Sequence, residues 1–289
     1  MFEESPFPGW LETCLVPDDE FGDAYEAAMP ERRAWLKTCI ARLHVLHGAA
    51  GMTWGRSEKQ WRQGFVSVAE ARPVEWTIVF MAGDYASGPR SVAALMPALL
   101  AGVGNVLVVR VAEEGTPWAA AVLAGFELAG QEAVINLSAD KVPALLDEMA
   151  GKGSGRCLVL GAVAPVVRDT IFGFVAGRSA QVACWFEPAA GSLAIAEAEE
   201  VCEIDEELLA WAHPDLQIVR YDGDNLEMAQ QGAAGEGVFL ALAGTPDLID
   251  IVPDSIPLML GPGQEGCWVW PELDTQFFMQ RRLSLITEM

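Results

Sequence analysis

The sequence predicts an α/β protein: two tandem α/β units with parallel sheets, preceded by an N-terminal helical segment. Three observations carry this. From Pro73 onward, short β-branched runs alternate with helical stretches, the order that right-handed crossovers impose on a parallel sheet. Hydrophobic residues make up 52% of the 289 residues and charged residues 20%, a composition that can bury a core and is far from that of disordered chains. The run from Ser91 to Val109 carries no charge, as expected of a helix followed by a strand covered on both faces. Pro97, Gly102, Gly104 and Asn105 interrupt it, which argues against a membrane span. The expected boundaries are 1–71 for an arm and helices, 72–178 for the first unit and 179–289 for a second unit with a C-terminal helix.

Residues 1–30, rich in proline and acid, read as an irregular arm. Between Glu31 and His47, the positions Trp35, Leu36, Cys39, Ile40, Leu43 and Leu46 recur every three or four residues, one face of an amphipathic helix. A second helix is expected over Ser57–Glu70, ended by Arg72-Pro73. Strands follow at Trp76–Met81, Asn105–Val111, Ala133–Leu137 and Arg156–Leu160, with helices at Ser91–Leu100, Pro117–Leu128 and Lys141–Met149. The second set comprises strands at Gln181–Phe186, Leu193–Ala196, Leu216–Tyr221 and Val238–Leu242, with helices at Asp205–Ala212 and Leu226–Gln231. Gly151–Gly155 lies between a helix and a strand and reads as a turn; it does not have the spacing of a phosphate-binding loop.

The 18 basic residues against 41 acidic ones give a net charge of −23. Such a chain repels a nucleic-acid backbone and an anionic lipid surface, so neither is an expected partner. The six cysteines stand far apart with no CxxC pair, which fits a reduced compartment. The acidic start Met-Phe-Glu-Glu-Ser-Pro lacks the build of a secretory signal, and a cytoplasmic location is expected.

Pro73-Val74-Glu75, a strand, Gly83, Pro89-Arg90-Ser91, Pro97-Ala98 and Gly102-Val103 follow in an order that resembles the histidinol dehydrogenase family, within the aldehyde-dehydrogenase-like fold. Further landmarks keep the same order: Thr116-Pro117 to Gly125, Glu207 to His213, Thr245-Pro246-Asp247-Leu248, Leu260-Gly261-Pro262, and Asp274 to Arg282, the last resembling a helix near the family's end. The resemblance implies two Rossmann-like units, the first of nucleotide-binding type. It also implies NAD as cofactor, a small-molecule or nucleotide ligand, and a homodimer.

The family holds zinc through Gln, His, Asp and a second His from a C-terminal extension. Here Trp211 stands at the Gln position, His213 remains, and Cys267 takes the Asp position. No extension follows Met289, so zinc is not expected, because a site short of two ligands loses most of its affinity. The family's Glu-His base pair is reduced to Asp247 beside Leu248. His44 and His47, at i and i+3, read as a partly buried helix face. The candidate catalytic residues are therefore Asp247 and Cys267, and the candidate cofactor residues are Gly83, Asp84, Tyr85, Pro89 and Ser91, where a strand opens into a helix. Three readings follow: a scaffold that has lost the zinc-dependent chemistry, an NAD-dependent oxidoreductase acting on another alcohol or aldehyde, and an interaction subunit docking through its Trp-rich C-terminal region around Trp268 and Trp270.

Overall fold

Pro17 followed by Asp18, Asp19 and Glu20 places three carboxylates in the first turn of a helix, where they complement its dipole. Helix α1 accordingly spans Asp18–Ala27, after a 3-10 turn at Gly9–Cys14, so the arm is more ordered than its composition implies. The computed structural model describes residues 5–51, 55–188, 190–197, 204–222, 239–244 and 258–287. Helix α2 (Pro30–Gly51) contains the expected helix and turns Leu36, Cys39 and Leu43 inward. The second expected helix is instead a hairpin, β1 (Gly55–Trp61) and β2 (Phe65–Pro73). Gly64 at φ +83° closes its turn, donating its N–H to the Trp61 carbonyl at 3.0 Å. The alternation Phe65-Val66-Ser67-Val68 has the period of a strand, and a short glycine-containing loop before it favours a hairpin.

The next elements follow the sequence closely: β3 (Trp76–Ala82), α3 (Gly88–Leu100), β4 (Val106–Val111), α4 (Ala120–Ala129), β5 (Val134–Leu137), α5 (Val142–Met149) and β6 (Gly155–Leu160). Helix α6 (Pro165–Ala176) has Pro165 at its first turn and was not among the expected elements. Strand β7 (Val182–Phe186) pairs with β6, giving a five-stranded parallel sheet in the order β5-β4-β3-β6-β7. Val79 and Met81 of β3 face the core under α2, α3 and α4, while Trp76, Ile78 and Phe80 face α5 and α6. The sheet is thus wound on both faces. Its chain reverses direction between β3 and β6, where open α/β sheets leave a crevice at their carboxyl edge.

A second parallel sheet, in the order β11-β10-β8-β9, is built from β8 (Ala190–Glu197), β9 (Gln217–Asp222), β10 (Phe239–Gly244) and β11 (Leu258–Leu260). Helix α7 (Glu206–Ala212) precedes β9 and is capped by Asp205, which accepts from the Leu208 N–H. The expected helix at Leu226–Gln231 lies outside the described residues. The expected C-terminal helix is replaced by a 3-10 turn, Thr275–Phe278, and strand β12, Met279–Thr287. Asp274 caps the turn through the N–H groups of Gln276 and Phe277. The alternation of Arg281, Leu283 and Leu285 then follows a period of two, and β12 pairs antiparallel with β2, completing the sheet β1-β2-β12. Between β11 and β12 the chain runs beneath α2 and α3, where Trp268, Trp270, Leu273 and Phe278 share one core with Val92, Leu95 and Val79.

Candidate functional site

At the carboxyl edge of β3 the chain turns at Gly83, where a Cβ would come within 3.0 Å of the Val111 carbonyl at the end of β4. Asp84 is exposed, whereas Tyr85 is buried. The Tyr85 ring lies over Gly161, the residue after β6, so closely that a Cβ there would meet it at 2.8 Å. The Tyr85 hydroxyl donates to Glu187 Oε1 at 3.0 Å, and Glu187 Oε2 accepts the Gly161 N–H at 2.6 Å. Arg90, from the first turn of α3, forms ion pairs with Glu187 at 3.3 Å and with the half-exposed Asp215. Its guanidinium also lies 5.2 Å from the centre of the Tyr85 ring and 5.9 Å from that of Trp268. The crevice between β3 and β6 is therefore filled by the protein's own side chains. Burial pushes the Glu187 pKa up against the pull of Arg90. Burial, then Glu187, push the Tyr85 hydroxyl well above its usual value. Burial also opposes the Arg90 charge, but Tyr85, Glu187 and Asp215 outweigh it and keep the guanidinium protonated.

Ser87 caps α3: its Oγ accepts from the Arg90 N–H, donates to the Ala212 carbonyl at 2.6 Å, and lies 3.4 Å from His213 Nδ1. His213 is fully buried, its ring 4.6 Å from that of Trp268. Burial, then repulsion from Arg90, push its pKa well below 6.5, against an opposing pull from the Glu265 backbone. The folded imidazole thus stays neutral where the unfolded one charges. Unfolding takes up a proton below pH 6.5, so stability falls with falling pH, by at most about 1.4 kcal/mol per pH unit from this group. Urea titrations at pH 7 and pH 5.5 should show that loss in the wild type and a shallower one in His213→Leu.

The same edge of the sheet carries a second feature, which has no motif in the sequence. Val16 donates its N–H to the Val134 carbonyl at 2.9 Å and Leu15 bridges to Ile135, laying the arm along β5. Between the arm and the ends of β4 and β5 lies a polar cavity of about 640 Å³, lined by Glu20, Glu113, Glu114, Asn136, Asp140 and Lys141 among others. Arg110, behind the lining, braces Asn136: Nε donates to Asn136 Oδ1 at 2.8 Å, one terminal nitrogen donates to the Pro117 carbonyl at 2.7 Å, and the guanidinium lies 4.1 Å from the centre of the Trp118 ring. A cleft of about 680 Å³ over the three-stranded sheet is lined by Arg56, Glu70, Arg281 and Arg282. It is formed by strands of the antiparallel sheet and has no share in the parallel strand ends, where this fold class places ligands.

No protein-family model matches the chain, and no curated protein does. Among solved structures, histidinol dehydrogenase from Elizabethkingia anophelis aligns over 95% of this chain and 77% of its own, with a TM-score of 0.59 and 14% identity. The chain has the histidinol dehydrogenase fold. An NAD-dependent benzaldehyde dehydrogenase from Corynebacterium glutamicum aligns over 94% of this chain and 90% of its own, with a TM-score of 0.48 and 12% identity. For lactaldehyde dehydrogenase from Escherichia coli the corresponding values are 94%, 93%, 0.41 and 12%.

Within the histidinol dehydrogenase fold, this chain places its landmark residues in unlike surroundings. Of the cofactor candidates, Gly83 and Asp84 reach the rim of the sheet, whereas Tyr85, Pro89 and Ser91 are buried; Ser91 Oγ donates to the Gly88 carbonyl at 2.8 Å. At the positions the resemblance links to a metal, Trp211 stacks under Arg32 at 5.4 Å and His213 is sealed inside. Cys267 is buried in the core that also holds Cys39 of α2, and Asp247 lies outside the described residues. Trp268 and Trp270 are core residues, packed edge to face at 5.3 Å, with Trp270 Nε1 donating to the Arg90 carbonyl at 3.2 Å. His44 is exposed and His47 buried, so they do not share an open face. Glu187 and Asp215 have no local signature, because they meet Arg90 only through the fold.

Proposed function

We propose that this protein uses the histidinol dehydrogenase scaffold to bind a nucleotide and does not carry out the zinc-dependent oxidation of an alcohol. The observation that carries the reading is the state of His213: the one family ligand type kept in place is neutral, without solvent access, and walled in by Ser87, Trp268 and Arg90. A base or metal ligand must reach its proton or ion within about 3 Å, and this imidazole faces only protein.

The nucleotide reading rests on the cavity at the ends of β4 and β5. Sheets of this winding use a carboxylate just past the second strand to accept hydrogen bonds from ribose hydroxyls. Glu113 and Glu114 hold that position, both exposed, on the cavity wall. Their charge favours NAD over its 2′-phosphorylated form, which would set phosphate against carboxylate. The test is calorimetric titration of NAD and NADP into the metal-analysed protein, with absorbance followed for reduction by histidinol. Saturable NAD binding near one per chain is expected, weaker NADP binding, and no reduction. Replacing both Glu113 and Glu114 by Gln should weaken NAD about tenfold or more, the worth of one charged hydrogen bond. Absence of binding at millimolar NAD would overturn the nucleotide reading; turnover with histidinol would overturn the loss of chemistry.

A further inference from the structure

Among the described residues the sheet β1-β2-β12 has an open strand at each edge, and the two edges are built differently. Strand β1 is exposed along its whole length and carries Arg56, Glu58 and Lys59, the charged kind of edge that discourages a further strand from pairing. The far half of β12 carries Leu283, Leu285 and Ile286 instead, which are 67%, 67% and 52% exposed. An apolar edge strand with an open row of N–H and C=O groups is a template for another strand. Leu283 and Leu285 share a face with Trp61 and Phe65, because Leu283 is in register with Ala69 and Ser57, and Thr287 with Phe65 and Trp61. The Trp61 and Phe65 rings stack at 5.8 Å, and Trp61 itself is 44% exposed.

We propose that two copies of this chain join edge to edge through β12, antiparallel about a two-fold axis perpendicular to the sheet, to make one six-stranded sheet. The sequence of the strand selects this occupant. Such an axis keeps each face of the sheet on its own side, so residues that meet across it are identical or an even number apart. Centred on Ser284, the pairing sets Leu283 against the partner's Leu285 twice over, Arg282 against the partner's Ile286 and Arg281 against the partner's Thr287. Seven residues of each strand, Arg281 to Thr287, then pair with no like charges opposite. Centring the axis on Arg282 would set that arginine against its own copy, and centring it on Leu283 would set Arg281 against the partner's Leu285. The strand is complementary to itself in one register.

Charge favours the same joint. Residues 55–73 and 279–287 hold six of the 18 basic residues of this acidic chain but only two acidic ones, Glu58 and Glu70. Two copies carrying −23 each repel one another over most approaches, and this sheet lets them meet without opposed carboxylates. Glu70 stands in register with Arg282 and offsets the arginine next to the joint. An edge of this length, about 24 Å, buries less than the roughly 800 Å² per partner of a standard interface, so the dimer should dissociate in the micromolar range.

The experiment is sedimentation velocity of the full-length protein from about 1 to 200 µM, which brackets micromolar association. The wild type should pass from monomer to dimer. Leu283→Glu and Leu285→Lys should each weaken the dimer about tenfold or more and keep the near-UV circular dichroism of the folded chain, because both side chains are mostly exposed. The double variant Leu283→Glu/Leu285→Lys should regain the dimer, since each introduced carboxylate meets an introduced ammonium of the partner in this register and in no other. Lys59→Glu, on the opposite edge, should leave association unchanged. A wild type that stays monomeric throughout, which leaves the edge for a strand of another protein, would overturn the proposal. So would a dimer indifferent to either single change, a dimer lost in Lys59→Glu, or a double variant no better than the single ones.

Discussion

Arg90→Met should lower the unfolding free energy by about 3–5 kcal/mol, measured by urea titration at pH 7. The guanidinium and Glu187 are only 2% and 4% exposed. The substitution leaves the Glu187 carboxylate buried with the Tyr85 hydroxyl and the Gly161 N–H but without a countercharge. Pairing that cluster with Glu187→Gln should recover much of the loss, since a neutral side chain of similar shape needs no countercharge. The deficit should also depend on pH. Without Arg90, nothing of comparable charge opposes burial, and the Glu187 pKa rises further above its unfolded value. The native state then binds more protons than the unfolded one over the acidic range, so stability increases as pH falls from 7 towards 5. A deficit that stays constant over that range would show that Glu187 does not feel Arg90.

Gly88→Ala should cost about 1–3 kcal/mol or prevent folding, while Gly173→Ala should stabilise by about 0.4–1 kcal/mol. Both glycines lie in helices, so the change in the unfolded chain is the same and the contrast reports on space. At Gly88 a Cβ would lie 2.4 Å from the Ala121 carbonyl oxygen, a backbone atom that only a shift of α4 can remove. At the same crossing, a Cβ on Gly125 would press on Val92 Cγ2 at 3.0 Å. Helices α3 and α4 thus approach glycine to glycine. Gly173 on α6 has nothing within 4 Å, and thermal melts of the two variants should move in opposite directions.

The five-stranded sheet was legible because its strands are continuous β-branched runs and the connecting helices begin or end at Pro and Gly. The hairpin of β1 and β2 was misread because its apolar positions are few and β1 is exposed along its whole length, leaving Gly64 as the strongest clue. Strand β12 stands where the resemblance implies a helix: the alternation of Arg281, Leu283 and Leu285 acquires its meaning only from β2, about two hundred residues earlier. The Arg90 cluster had no local signature: Glu187 and Asp215 reach it from beyond β7 and beyond α7. Arg90 itself stands in the landmark Pro89-Arg90-Ser91, where nothing nearby in sequence marks it as the centre of a buried charge cluster. Glu113-Glu114, directly after a strand, was readable as a cavity wall, but only the arm lying across β5 closes that cavity.

Every residue of α3 from Gly88 to Ala98 is buried, and part of what covers it is Trp268, Trp270 and Phe278. Phe278 follows Leu100 by 178 residues. At synthesis rates of about 5–20 residues per second, that separation leaves this buried helix without its full cover for roughly 10–40 s. Pairing of β12 with β2 imposes the same wait on the three-stranded sheet. Contacts so distant in sequence make for slow folding, and the newborn chain must be kept from self-association until its last strand arrives. The burial that makes the finished core secure is thus what leaves apolar surface open longest while the chain is being made.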